Sequence, residues 1–192
     1  MATTEKPGEP EYRTTSTPAP AGVDFFNLDV VLRFLLFSAS LVAVVVIVTS
    51  NQTEAVLFQG RPVPQPAKWR YSPAFVYFVV AFSVSGLYSI ITTLASLSVI
   101  QRPHLKTKFL LHFLFWDALI LGIIASAVGA GSGVAYIGLK GNSHVHWNKI
   151  CSVYDKFCKH VAGSLAVGLF GSIVVVLLIF LSAFTLHSRV PK

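Results

Sequence analysis

The fold is decided by residues 109–131, FLLHFLFWDALILGIIASAVGAG, which are long and apolar enough to cross a bilayer yet include one carboxylate, Asp117. An Asp at the middle of a membrane helix costs about 2.5–3.5 kcal/mol, whereas each Leu, Ile, Phe or Val contributes about −0.3 to −0.6 kcal/mol. The segment holds twelve of these apolar residues. Their summed contribution of roughly −5 kcal/mol outweighs the carboxylate. The sequence therefore predicts a membrane-spanning helix whose Asp117 faces other protein rather than lipid.

Three further apolar runs accompany this segment, at 30–49, 75–99 and 161–186. Each reaches the roughly 20 residues that a helix needs to cross a hydrocarbon core about 30 Å thick, and none is interrupted by proline. Charged residues make up only 12% of the chain, whereas soluble domains carry about 25%. The sequence therefore predicts an all-α membrane protein in which residues 28–187 form a bundle of four transmembrane helices.

The segments outside the four runs are polar. Residues 1–27 are rich in Pro, Thr, Glu, Ser and Gly, a composition typical of disorder, and residues 188–192 form a short tail. The net charge is +7, but the basic residues are scattered over short connections, which favours lipid headgroups over nucleic acid as their partner. The connections are loop one (50–72), loop two (100–108) and loop three (132–160).

The orientation follows from loop composition. Loop two is short and carries three cations, a density typical of cytoplasmic loops. An Asn-x-Ser/Thr acceptor begins at Asn51 in loop one, and the two cysteines, Cys151 and Cys158, lie in loop three. Glycosylation and disulfides both belong to the exterior. The sequence therefore predicts cytosolic tails, extracellular loops one and three, and a candidate glycosylation site at Asn51.

Arg33 is the predicted partner of Asp117. It lies about 5 Å into the first span, and Asp117 lies about 12 Å into the third, at 1.5 Å per residue. Both spans enter from the same face, so both charges occupy one leaflet, and intramembrane charges usually pair. The alternative is that Arg33 extends to the interface while Asp117 is protonated or hydrogen-bonded locally. A proton relay is disfavoured because only His112 is an ionisable neighbour in the sequence.

The residues leave three alternatives for Cys151 and Cys158: a structural disulfide, free thiols, or a zinc site that includes His144, His146 and His160. Their spacing is not the C-x-x-C of a redox site, and no paired metal-ligand spacing supports zinc. An oxidising exterior favours the disulfide. The sequence shows no Gly-rich phosphate loop and no Ser/His/Asp grouping. It therefore predicts neither catalytic residues nor a cofactor or metal site.

Small residues recur every fourth position in three of the spans. This spacing allows helix backbones to approach closely, either inside one bundle or between subunits, and the sequence leaves both alternatives open. The residues are Ala81, Ser85, Ser89 and Thr93; Ala125, Gly129 and Gly133; and Ser164, Gly168 and Ser172.

The four spans, Arg33, Asp117 and two loop strings together resemble the Casparian strip membrane domain protein family of land plants. The strings are AKWRYSPAFVYFVV (67–80) and GNSHVHWNKIC (141–151), and the match is to CASP-like members of the first subfamily. In layout the chain is also similar to the wider MARVEL-type tetraspans.

The resemblance implies a non-enzymatic plasma-membrane scaffold that forms homodimers, heterodimers with related CASP-like proteins, or larger oligomers. Founding members recruit cell-wall enzymes, so such enzymes are expected partners beside the lipid bilayer. The rival hypothesis is a small channel or transporter with Asp117 in its pathway. Transporters usually show broken helices or internal repeats, and these spans show neither.

Overall fold

The computed structural model describes residues 25–99 and 106–187. Four helices in it are long and apolar enough to cross a membrane, which confirms the predicted all-α tetraspan. The elements are α1 (Phe25–Val48), β1 (Asn51–Phe58), β2 (Arg61–Lys68), α2 (Pro73–Val99), α3 (Lys106–Lys140) and α4 (Asp155–His187), with short 3-10 turns at Trp69–Tyr71 and Ser143–Val145. Most of the predicted tail 1–27, and all of 188–192, lie outside the described residues; Phe25 to Asn27 belong to α1.

All four helices are longer than their apolar runs, and α3 and α4 extend beyond them the furthest. α3 continues past 131 to Lys140, where Gly141 follows with φ of +68° and donates its N–H to the Ile137 carbonyl at 2.8 Å. α4 begins at Asp155 rather than at 161, and the acidic residue in its first turn interacts favourably with the helix dipole. Hydropathy marks the part of a helix inside the hydrocarbon, whereas the polar turns at its ends need no apolar side chains. Loop three is correspondingly shorter than predicted.

Each helix packs against two neighbours: α1 and α3 both contact α2 and α4. The large apolar side chains on the outside of the bundle are those that the surrounding lipid would cover, and they include Leu41, Ile90, Leu119 and Phe180. The core contains Leu36, Ile47, Phe78, Phe82, Ile124, Val175 and Leu178.

Loop one, expected only as a connection, is an antiparallel β-hairpin. β1 and β2 are joined by Gln59 and Gly60, whose φ angles of 51° and 78° are those of a two-residue type I′ turn. The register places Ala55 opposite Pro64 and Leu57 opposite Pro62. The three prolines of β2 recur with the period of a strand, a signal of an edge strand that hydropathy alone does not detect.

The small residues of α2 and α4 are used inside the bundle. Ser85, Ser89, Ser164 and Gly168 are all buried, and the Ser164 hydroxyl donates to the backbone carbonyl of Ala43 on α1 at 2.7 Å. In these two helices the four-residue spacing therefore serves packing within one molecule.

We expect Gly168→Ala to destabilise the bundle by about 1–3 kcal/mol, the usual cost of overpacking a core. A methyl group at this position would lie 2.9 Å from Phe82 Cζ and 3.0 Å from Phe78 Cζ. The matched control is Gly163→Ala on the same helix, where the added carbon meets nothing within 4 Å among the described residues. Thermal unfolding in detergent checks both variants; equal midpoints would contradict the packing described.

Candidate functional site

A charge cluster lies between α1, α2 and α3. It comprises Asp29, Arg33, Tyr88, Ser96 and Asp117. The side chains of Arg33 and Asp117 have 0% exposure, whereas the Asp29 side chain is 18% exposed. The cluster therefore combines two fully buried opposite charges with a second carboxylate nearer the surface.

Helical periodicity places both buried charges in the core. On α1, Arg33 adjoins the inward stripe that contains Leu36 and Ile47. On α3, Asp117 lies three and seven residues before Ile120 and Ile124, which are also buried. Positions three, four and seven apart share one helix face. Each charge thus takes the place of an apolar side chain on the face that its helix turns toward the bundle.

The Arg33 guanidinium donates in two directions. Nη1 lies 3.4 Å from Asp117 Oδ1 and Nη2 lies 3.3 Å from Asp117 Oδ2, a bidentate arrangement that a planar guanidinium can make and an ammonium cannot. Nε donates to Asp29 Oδ2 at 3.0 Å. The guanidinium carbon also lies 4.8 Å from the centre of the Phe113 ring. The structure brings together the two residues that the sequence paired and adds Asp29.

Both carboxylates have further donors from α2. The Tyr88 hydroxyl donates to Asp117 Oδ1 at 2.7 Å, and the Ser96 hydroxyl donates to Asp29 Oδ2 at 3.1 Å. Among the described residues, no buried side-chain nitrogen or oxygen lacks a hydrogen-bond partner. One cation and two carboxylates thus connect three helices. Buried charges with complete hydrogen bonding fix helix positions, so the cluster can hold α1, α2 and α3 in one arrangement.

The sequence did not predict Asp29, Tyr88 or Ser96 as members of the cluster. Asp29 is four residues before Arg33, the spacing of a helical ion pair, and this could have been detected. Tyr88 and Ser96 could not have been detected in this way. The rotation of α2 about its own axis is set by packing and leaves no sign in the spacing of charges.

A disulfide joins Cys151 to Cys158, with Cα atoms 5.7 Å apart. Cys158 lies in the first turn of α4, and the N–H of Cys151 donates to the Gly138 carbonyl near the end of α3 at 3.1 Å. The bridge therefore holds loop three against the ends of both helices. Within the described residues no three His, Cys, Asp or Glu side chains are grouped as a metal site requires.

The first residue of β1 is Asn51, three residues beyond Val48, the last residue of α1. Its amide Nδ2 donates to the Val48 carbonyl at 3.4 Å, and the residue is exposed. Glycosylation of Asn51 remains a prediction of the sequence.

Removing the disulfide with Cys151→Ser is expected to lower stability by about 2.5 kcal/mol, the loop-entropy value for a bridge of this short span. Cys158→Ser and the double variant should be destabilised by the same amount, because each loses one and the same bond. Thermal unfolding with and without reductant checks this. Two results would contradict a bridge between these two residues: a wild-type unfolding midpoint that reductant does not change, or losses of stability in the two single variants that add in the double variant.

The family model described as Casparian strip membrane protein domain matches residues 24–174. The chain is 73% identical to CASP-like protein 1D2 of Glycine max and 72% identical to CASP-like protein 1D1 of the same species. It is 53% identical to CASP-like protein 1D1 of Populus trichocarpa. Each of these alignments covers 100% of both chains. No solved structure matches the chain.

Proposed function

We infer the function from one premise: this chain belongs to the Casparian strip membrane protein domain family. We propose that it is a non-enzymatic scaffold of the plasma membrane. It associates with copies of itself and with related CASP-like proteins, and the assembly organises a membrane domain to which cell-wall-modifying proteins are recruited. The charge cluster keeps each subunit rigid, and the outer surfaces of the bundle make the contacts.

The observation that carries this proposal is the small-residue face of α3. Unlike their counterparts on α2 and α4, Ala125, Gly129 and Gly133 are exposed. An added carbon at Gly129 or Gly133 would meet nothing within 4 Å in the part of the chain that the structure describes. Small residues spaced by four let helices associate in membranes, where van der Waals packing replaces the hydrophobic effect. This face therefore supports contact between subunits.

The test is to replace Gly129 with Ile in the full-length protein and to measure its oligomeric state by native mass spectrometry from membranes. The large side chain should weaken association by about tenfold. Gly163→Ile on α4 is the matched control. An added carbon at Gly163 also meets nothing within 4 Å among the described residues, but the residues four positions before and after it are not small. A monomeric wild type would contradict the scaffold; unchanged Gly129→Ile oligomers would contradict the α3 face.

The proposed orientation places loops one and three outside the cell and both tails in the cytosol. We expect a membrane-impermeant maleimide to label Leu57→Cys in intact cells, because Leu57 is 75% exposed on β1. A cysteine introduced at Gln101 in loop two should be labelled only after permeabilisation. The reverse pattern would contradict the orientation and, with it, extracellular recruitment.

The rival channel or transporter hypothesis needs a solute to reach Asp117. The 0% exposure of this carboxylate, and its bonds to Arg33 and Tyr88, support the scaffold instead. Solute flux through reconstituted protein that is lost in Asp117→Asn would favour the rival.

A further inference from the structure

The two strands of the extramembrane hairpin have different outer edges. In an antiparallel pair, residues alternate between positions that bond the partner strand and positions whose N–H and C=O point away from it. With a two-residue turn at Gln59 and Gly60, the flanking pair Phe58–Arg61 is a bonded one. Alternation then turns the backbone groups of every second pair outward, and these pairs are Leu57–Pro62, Ala55–Pro64, Thr53–Pro66 and, where both strands end beside the helices, Asn51–Lys68.

The outer edge of β2 is closed to pairing over most of its length. Three of its four outward positions are prolines, and proline has no N–H to donate; the fourth is Lys68, the last residue of the strand. Proline at outward positions is one of the ways in which proteins protect an edge strand from other chains. The sequence PVPQP therefore keeps the bonds within the hairpin and removes three of the four N–H donors that another strand would need on this side.

The outer edge of β1 is open. Thr53, Ala55 and Leu57 each keep a backbone N–H, and no hydrogen bond to these groups occurs within the described residues. All three side chains are exposed. The hairpin thus has proline at three of the four outward positions of β2 and at no position of β1.

We propose that the outer edge of β1 pairs with β1 of a second copy of this chain, antiparallel, so that two hairpins form one four-stranded sheet. The proposal rests on the proposed self-association and names an extramembrane contact for it. An antiparallel pair of identical strands is related by a two-fold axis, the symmetry of most protein dimers. The same three outward residues on each copy supply both the donors and the acceptors.

The position of the hairpin on the bundle is compatible with this axis. Gln52, Glu54 and Val56 form a half-buried face. The Phe157 N–H donates to Gln52 Oε1 at 2.8 Å, and the Tyr154 hydroxyl donates to the Gln65 carbonyl at 3.0 Å. One face of the sheet therefore lies on the outer end of the bundle. Two copies in one bilayer are related by a two-fold axis along the membrane normal, and we propose that this axis crosses the outer edge of β1.

Charge favours one register. With Ala55 opposite its own copy, residues 52–58 pair and Glu54 faces Val56 of the second copy. A shift by two residues in one direction places Glu54 opposite Glu54, and like charges directly opposite destabilise a sheet. A shift in the other direction shortens the paired stretch to 54–58. The proposed axis therefore passes through Ala55.

The experiment uses the full-length protein in membranes, where the native cysteines are joined to each other. Ala55→Cys should be crosslinked to its copy by a short thiol-specific reagent, because directly opposite Cα atoms lie about 5.5 Å apart. Leu57→Cys is the control on the same edge and face. Its copy lies about 14 Å away at roughly 3.4 Å per residue, so this more exposed cysteine should not be crosslinked to itself.

A second pair of variants isolates the backbone donor. In the Ala55→Cys background, Leu57→Pro removes an outward N–H without touching the bonds inside the hairpin, whereas Leu57→Ala removes only the side chain. The proline should lower the crosslinked fraction by about tenfold relative to the alanine. Equal crosslinked fractions in the proline and alanine variants would contradict pairing through the outer edge of β1.

The remaining outcomes separate this proposal from the proposed function. Oligomers that form without an Ala55→Cys crosslink would overturn the edge contact and leave the scaffold intact. A monomer would overturn both. A crosslink from Ala55→Cys to a different protein would contradict the proposal that a second copy of this chain pairs with the outer edge of β1.

Discussion

Arg33→Met is expected to destabilise the folded bundle by about 3–5 kcal/mol, the cost of leaving a buried charge without its partner. Methionine fills much of the same space without a charge. The substitution leaves Asp117 with 0% exposure and only the Tyr88 hydroxyl as a donor. It also leaves Asp29 without a cation, although that side chain is partly exposed. Since domains are stable by only about 5–15 kcal/mol, this loss should remove a large share of the bundle's stability.

Size-exclusion chromatography of the solubilised protein, followed by unfolding in denaturing detergent, measures this loss. Arg33→Lys should be intermediate, because an ammonium keeps the charge but cannot donate to both carboxylates in the arrangement observed. Leu35→Met, a half-exposed position on the same helix, controls for the methionine itself. A wild-type profile for Arg33→Met would show that the cluster contributes little to the fold.

The converse experiment removes both carboxylates. Asp117→Leu alone should cost less than Arg33→Met, because Arg33 keeps its 3.0 Å bond to Asp29. Combined with Asp29→Asn it leaves a fully buried guanidinium without an anion, and we expect about 3–5 kcal/mol. The same unfolding assay ranks the single and combined variants. If Asp117→Leu alone lowered the free energy of unfolding as much as the combined variant does, Asp29 would not stabilise the Arg33 guanidinium.

The depth of the two charges was predictable because hydropathy fixes where each span starts, and the helical rise then fixes the leaflet. The rotation of a helix about its axis leaves no such sign. Tyr88 and Ser96 were therefore missed, although both complete the cluster. For the same reason the sequence could not tell which small-residue stripe faces the core: Gly168 contacts Phe78 and Phe82, whereas Gly129 faces outward.

The hairpin was missed for another reason. The prolines at 62, 64 and 66 recur with the two-residue period of a strand, but proline is depleted in strands, so loop one was expected only as a connection. The ends of α3 and α4 were misplaced because polar turns extend a helix beyond the hydrocarbon. Each of these errors lies outside the membrane core, where apolar burial no longer determines the pattern.

We propose that the cluster serves the folding of each subunit and that the outer surfaces serve association. Arg33 and its partners hold α1, α2 and α3 in one arrangement. A rigid subunit loses less conformational freedom when it associates, so weak contacts on α3 and β1 can suffice. Substitutions in the cluster should therefore reduce the stability of the fold first. Gly129→Ile and Leu57→Pro should reduce association and leave the fold stable.

A double-mutant cycle between Arg33→Met and Asp117→Leu measures the coupling between the two buried charges. The free energy of unfolding is measured for the wild type, the two single variants and the double variant in one detergent. If the two side chains stabilise the bundle through each other, the double variant should be more stable than the sum of the single losses predicts, by about 1–3 kcal/mol. Losses that add to within about 0.5 kcal/mol would contradict a coupled charge pair between α1 and α3.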